Sequence, residues 1–198
     1  MRGVLAILPV LLLTGCAIKP PITAEEQVQV LEVTEWSAPA RPPHWVMEGR
    51  AGLEAGGEAG SASLQWSQSA ARYQLTMQGT LGIGSLDLRR DNDEVVLRTG
   101  DGETYVARDA RELLQAVTGM DWPVEILRFW ITGHAAPWLP GQVRINTSGQ
   151  LVELRQNGWI VQYGRYQAVD GYQLPGRIWA EGEGSKVRLV VRSWTIEQ

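Results

Sequence analysis

Apolar and polar residues alternate strictly over several short stretches in the middle of the chain. From Ser61 to Ser67, Ala62, Leu64 and Trp66 fall on one side and Ser61, Ser63, Gln65 and Ser67 on the other. Arg72 to Gln78 repeats the pattern, with Tyr73, Leu75 and Met77 opposite Arg72, Gln74, Thr76 and Gln78. Leu86 and Leu88 continue it, facing away from Asp87 and Arg89. A period of two predicts strands with one dry and one wet face, the habit of antiparallel sheets. Further strands are expected at Trp45–Leu53, Glu94–Thr99, Glu103–Ala107, Leu151–Gln156, Trp159–Gln167, Arg177–Glu181 and Lys186–Thr195. Gly100-Asp101-Gly102 is a hairpin signal, and Gly56-Gly57 marks another turn. Roughly nine to eleven strands at hairpin-like spacing predict a mainly β chain, a barrel or a sandwich.

Helical patterns interrupt the strands. Thr23-Ala24-Glu25-Glu26 has the spacing of a capping box, which predicts a helix from Ala24 towards Trp36, stopped by Pro39, Pro42 and Pro43. Asp109-Ala110-Arg111-Glu112 has the same spacing. Leu113, Leu114 and Val117 form one face behind it, and Gly119 can end the helix in the left-handed conformation. Pro123 suits the first turn of another short helix, whose apolar side is Leu127, Trp130 and Ile131 and whose end is Gly133. Pro137 and Pro140 keep the following segment non-helical. No internal repeat of fixed period is evident.

The N-terminus has a pattern of its own. Arg2 precedes an apolar run, Val4 to Leu13, interrupted only by Pro9. The run is shorter than the roughly 20 residues a spanning helix needs, and it reads as a secretory signal. It ends in Leu13-Thr14-Gly15-Cys16, which resembles the lipobox of bacterial lipoproteins. That resemblance implies cleavage before Cys16, a diacylglycerol on its sulfur and an acyl group on the new amine. An ordinary signal with a chance cysteine is the alternative, but Cys16 is the only cysteine in the chain. The expected organisation is a signal over 1–15, a lipidated N-terminus and proline-containing tether over 16–22, and one domain over 23–198. Ala17 is not the aspartate that commonly retains lipoproteins in the inner membrane, so the implied address is the outer membrane, on its periplasmic side.

Charge and composition narrow the function. The net charge is −4, and removing the signal takes one further cation, Arg2. A mildly acidic chain without a basic stripe argues against nucleic acid, and against broad electrostatic attraction to anionic headgroups. With Cys16 lipidated no thiol remains, which excludes disulfides, cysteine catalysis and cysteine metal sites. Nine Trp against one Phe suits lipid-like interfaces and ligand cavities, although Trp also fills β-rich cores.

A search for catalytic chemistry finds none. There is no G-x-S-x-G elbow and no H-E-x-x-H. Gly182-Glu183-Gly184-Ser185-Lys186 lacks phosphate-loop spacing and leads into a strand, so it reads as a hairpin turn. His44 and His134 have no acidic co-ligands at metal-site spacing and read as satisfied loop residues. Asp91-Asn92-Asp93 lacks the glycine and distal glutamate of a calcium loop and reads as a polar turn. No cofactor, metal or enzymatic activity is expected. Gly79-Thr80-Leu81-Gly82-Ile83-Gly84-Ser85 stands out because Leu81 and Ile83 occupy a turn where polar residues belong. Either both fold back onto the core, or they form a hydrophobic tip that dips into a membrane or lipid site.

The residues, taken in order, resemble the LolB family of outer-membrane lipoproteins. The resemblance runs through Cys16, Trp45 with Gly49-Arg50, Gln65-Trp66-Ser67-Gln68, Thr80-Leu81-Gly82, Leu113-Leu114, Thr118-Gly119-Met120 and Trp130 to Gly133. It continues through Gln156-Asn157-Gly158-Trp159, Tyr163 to Tyr166, Leu174-Pro175 and Lys186 to Trp194. It implies a half-open antiparallel β-barrel around an apolar cavity with an α-helical lid. It also implies a protein that takes triacylated lipoproteins from a periplasmic, LolA-like carrier and inserts them into the outer membrane. The family's exposed delivery leucine falls on Leu81, here with Thr80 where a proline is common and Ile83 as a second apolar residue. Arg50 matches a family position whose role the sequence leaves open.

The acyl-chain cavity is expected to be lined by Leu64, Trp66, Leu75, Met77, Leu86 and Leu88 of the strands, Leu113, Leu114, Val117, Leu127 and Trp130 of the helices, and Trp159. A dry, filled core would show the same patterning. Three readings follow: a monomeric lipoprotein-transfer protein, an outer-membrane-anchored binder of a free lipid or other amphiphile, and a ligand-free structural partner of an outer-membrane assembly.

Overall fold

The computed structural model describes residues 28–55, 57–79, 84–119 and 121–197. The expected signal, Cys16, the tether, the capping box at Thr23–Glu26, and both Leu81 and Ile83 lie outside these residues. The described chain opens with a strand, β1 (Gln29–Glu32), and a single 3₁₀ turn, Val33–Glu35. This corrects the helix expected to reach Trp36. The apolar residues there form no helical stripe, so a helix would bury no continuous face. Strand pairing wins instead, and Trp36 turns into the core beside His134.

Six strands follow as an antiparallel meander: β2 (His44–Ala55), β3 (Glu58–Ser69), β4 (Arg72–Gly79), β5 (Ser85–Asp91), β6 (Glu94–Thr99) and β7 (Thr104–Ala107). Two helices come next, α1 (Ala110–Thr118) and α2 (Val124–Trp130). The Asp109 carboxylate caps α1 by accepting the Glu112 N–H at 2.9 Å, and Gly119 ends it at φ 73°. The chain then returns to strands: β8 (Gly141–Ile145), β9 (Leu151–Gln156), β10 (Trp159–Gly164), β11 (Gln167–Val169), β12 (Tyr172–Leu174), β13 (Arg177–Gly182) and β14 (Ser185–Ile196).

Twelve of these strands form one sheet in the order β1-β8-β9-β10-β13-β14-β2-β3-β4-β5-β6-β7, and β11 and β12 make a separate hairpin. Among the described residues every pairing is antiparallel and β1 and β7 are the two edges, so the sheet curls without closing. Two further expectations need correction. The single strand expected over Trp159–Gln167 breaks at Arg165, whose φ is 54°. The segment after Pro140 is the strand β8, held between β1 and β9, where only a non-helical connection was expected.

One irregularity helps the sheet curl. Arg192 is an extra residue in β14 opposite Gly49 and Glu48 of β2, a bulge that bends and twists the strand. A Cβ on Gly49 would lie 2.6 Å from the Val190 carbonyl oxygen, so only glycine lets the two backbones approach here. The alternation read from the sequence becomes continuous rows on the concave face. One runs Leu97, Leu88, Leu75, Trp66, Met47, Trp194 across six strands, and every member is buried.

Candidate functional site

The second helix, α2, and the residues flanking it lie over the concave face and roof a cavity of about 90 Å³. Its floor comes from alternate positions of neighbouring strands: Leu64 and Trp66 of β3, Leu75 and Met77 of β4, and Ala51 and Leu53 of β2. The far wall is Val187 and Leu189 of β14, Ile178 and Ala180 of β13, and Trp159 of β10. Trp122, Pro123, Leu127, Trp130 and Ile131 form the roof. Ala51 and Ala180 leave space where adjoining positions carry larger side chains. None of the described lining residues is ionisable. The indole N–H groups of two lining tryptophans point to buried amides: Trp66 Nε1 donates to Gln68 Oε1 at 3.2 Å, and Trp130 Nε1 to Gln156 Oε1 at 3.0 Å. Its described lining is therefore apolar.

Seven of the residues expected from sequence line this space: Leu64, Trp66, Leu75, Met77, Leu127, Trp130 and Trp159. Leu86, Leu88, Leu113 and Leu114 are buried in the surrounding core, and Val117 packs against that core half-buried. Sheet curvature explains the split, since β5 and α1 sit towards the edge where helix and sheet meet directly. Sequence reasoning missed Ala51, Leu53, Trp122, Pro123, Ile131, Ile178, Ala180, Val187 and Leu189 as lining residues. The same period-two alternation is present in β13 and β14, but nothing local shows that β14 pairs with β2 and β13 with β14, which is what brings both to the cavity wall. Arg50 lies on the opposite, wet face, where its Nη2 donates to Ser61 Oγ at 3.2 Å.

Polar groups at the rim tie the roof to the sheet. Glu125 of α2 accepts from Arg90 Nη1 at 2.9 Å and from Tyr73 Oη at 3.3 Å. Burial, and then the neighbouring Glu125 carboxylate, push the Tyr73 hydroxyl well above its ordinary range, so it stays a neutral donor. Arg128 Nη1 donates to the Ala70 carbonyl at 3.2 Å. Arg111 of α1 pairs with Asp121 and holds its carboxyl below the usual carboxylate range. Gln156, itself buried, accepts the Ala136 N–H at 2.9 Å and donates to the Ala136 and Leu139 carbonyls at 3.0 and 2.9 Å. Both histidines have partners. His44 Nδ1 lies 2.9 Å from Ser69 Oγ, and buried His134 donates from Nε2 to the Pro39 carbonyl at 3.0 Å. His44 opens β2, a strand position where a loop was expected. Among the described residues, no group of three or more His, Cys, Asp and Glu could hold a metal ion. No described helix is long and apolar enough to cross a membrane.

Comparison with known proteins agrees with this geometry. The sequence model of the family described as outer membrane lipoprotein LolB matches residues 43–194. An outer-membrane lipoprotein LolB from Aeromonas hydrophila is 32% identical over 188 residues, covering 94% of this chain and 92% of that protein. Its counterpart from Halorhodospira halophila is 34% identical over 195 residues, covering 98% of this chain and 95% of that protein. Among solved structures, a LolA superfamily protein from Nitrosomonas europaea superposes with a TM-score of 0.52 at 9% identity, over 80% of this chain and 88% of that one. A putative outer membrane lipoprotein-sorting protein domain from Vibrio parahaemolyticus gives 0.51 at 8% identity, over 78% and 86%. At such identities the structural likeness speaks to the fold alone.

Proposed function

The chain belongs to the LolB family of outer-membrane lipoproteins, and from that premise we propose that its cavity receives the acyl chains of lipoproteins handed over by a periplasmic, LolA-like carrier. It then inserts those lipoproteins into the outer membrane. The observation that carries this reading is a helix-roofed cavity whose described lining residues are all apolar. Each methylene kept from water is worth about 0.8 kcal/mol, so a triacylated anchor needs such a shield to cross an aqueous space. No nucleotide chemistry is needed. Transfer runs downhill if each successive site binds more tightly, and about 1.4 kcal/mol per step gives a tenfold bias.

In this reading Cys16 carries the lipid that holds the monomeric acceptor at its target membrane, and Leu81 with Ile83 forms the tip that delivers cargo. Changing Leu81→Glu is expected to leave acceptance intact and to impair delivery to the membrane. If the variant instead loses its circular dichroism signal, Leu81 belongs to the core. The direct test loads a labelled triacylated lipoprotein onto the carrier and mixes it with this protein. Movement of the label onto this protein supports the reading. Label retained on the carrier, with free fatty acid bound here, would mean that the cavity serves another amphiphile.

A further inference from the structure

Eight of the nine tryptophans are buried or half-buried, and Trp138 is the exception, 54% exposed. Its exposure is built in. Trp138 is third in the turn Ala136–Leu139, with Pro137 in the second position that proline favours. The Leu139 N–H donates to the Ala136 carbonyl at 3.2 Å and closes the turn. Gln156 then pins it from inside the core, with hydrogen bonds to both Ala136 backbone groups and to the Leu139 carbonyl. A large indole is thus displayed on a rigid support, flanked by exposed Pro137 and Pro140.

A cation lies one ring away, across Phe129. Phe129 meets the Trp138 ring edge-on at 4.9 Å, and the Arg41 guanidinium lies 4.2 Å from the centre of the Phe129 ring. Arg128 approaches the same ring at 5.0 Å but is engaged with the carbonyls of Glu125 and Ala70. The one hydrogen bond of the Arg41 side chain goes to the Arg128 carbonyl at 3.5 Å, and it has no carboxylate within ion-pair distance among the described residues. Burial, and then the like charge of Arg128, pull its pKa below the ordinary range, so an anion here would be stabilised.

An amphipathic ring on a convex tip with a half-satisfied cation one ring away is the chemistry of a membrane interface, where Trp lies at headgroup depth and Arg meets phosphate. We infer that the Ala136–Leu139 turn, with Trp138 at its tip and Arg41 across Phe129 from it, seats in the phosphate layer of the bilayer that carries the protein. This rests on the reading above that Cys16 is lipid-anchored. It is a local contact and needs no broad basic surface. The tether does not prevent it, because about 12 residues between Cys16 and β1 span up to roughly 40 Å. The contact also reaches the cavity, since the amide of Gln156 that pins this turn accepts the N–H of Trp130 in the cavity roof.

The test uses the full lipidated chain in vesicles of phosphatidylethanolamine and phosphatidylglycerol. With the Cys16 sulfur occupied by lipid, Pro140→Cys supplies a unique thiol for an environment-sensitive fluorophore. Ser148→Cys, in the turn at the far end of β8, is the control. The label at 140 is expected to shift to the blue and to be quenched by lipids spin-labelled at the headgroup, and the label at 148 is not. Adding Trp138→Ser or Arg41→Gln to Pro140→Cys is expected to diminish that quenching at an unchanged thermal midpoint. Equal quenching at 140 and 148, or quenching at 140 indifferent to both substitutions, overturns the inference. Cargo uptake from the carrier is measured on the same samples. If uptake fails while the quenching pattern holds, the transfer reading falls and the membrane contact stands.

Discussion

Gln156 shows how a single polar side chain can organise an apolar site. Its amide holds the Trp130 indole, the Ala136 N–H and two carbonyls at once. Replacing it with Leu leaves these buried groups unpaired, which is expected to cost about 3 kcal/mol in urea unfolding. Leu64 is the complementary case, a half-buried residue within the apolar lining. A carboxylate there would be desolvated by any chain entering the cavity. Leu64→Glu is therefore expected to abolish binding of a fluorescent acyl probe while leaving the far-ultraviolet circular dichroism unchanged. Gly182 matters for a third reason. A Cβ there would lie 2.7 Å from the Trp159 ring, so the wall tryptophan can lie flat only over glycine.

Among the elements, α2 has the most to do. It supplies much of the cavity roof, and its attachments at Arg90, Tyr73 and Ala70 are polar and lie at the rim. The Arg90–Glu125 pair leaves Glu125 39% exposed, so its contribution to global stability is small, under about 1 kcal/mol. Its effect is local. Arg90→Ala is expected to speed amide hydrogen exchange through Val124–Trp130 while barely moving the thermal midpoint. Behind α2, His134 joins the segment after α2 to the Pro39 carbonyl. Burial is the main cause of its lowered pKa, against the opposing hydrogen bonds to Pro39 and Thr132. Below the ordinary histidine value of about 6.5 the unfolded chain takes up a proton that the native state refuses, so stability falls as the pH drops from there. This loss stops growing below the native pKa. His134→Gln is expected to flatten that part of the pH profile of the urea midpoint.

For the whole molecule, the deciding quantity is volume. The cavity of about 90 Å³ is smaller than an engineered void of about 150 Å³ that admits benzene, and well below the roughly 300 Å³ at which ligand pockets begin. An acyl chain needs more room than this, and an open sheet with light polar attachments at the rim lets the roof lift to provide it without breaking strand pairs. Affinity for acyl probes is expected to rise with chain length by about 0.8 kcal/mol per methylene, roughly fourfold, until the opened space is full. Calorimetry over a series of chain lengths checks this. A flat response would place the probes outside the cavity.

The sequence by itself determined most of the strands, the two short helices and the dry side of the strands it identified. These depend on local periodicity, caps and turns. Asp109, Gly119 and the alternation of Leu64, Trp66, Leu75 and Met77 were all readable in this way. The ordered succession of motifs was enough to place the chain in its family. Tertiary structure alone decided which apolar residues surround free space and which simply pack. Leu86 and Leu64 have the same pattern, and only the curvature of the sheet separates them. Pairing also overrode local preference at one edge of the sheet, where β1 and β8 are strands because they pair with each other and β8 with β9. Exposure of Trp138 was likewise hidden, because an indole on a turn is apolar in any sequence and outward-facing only when Gln156 holds the turn from below.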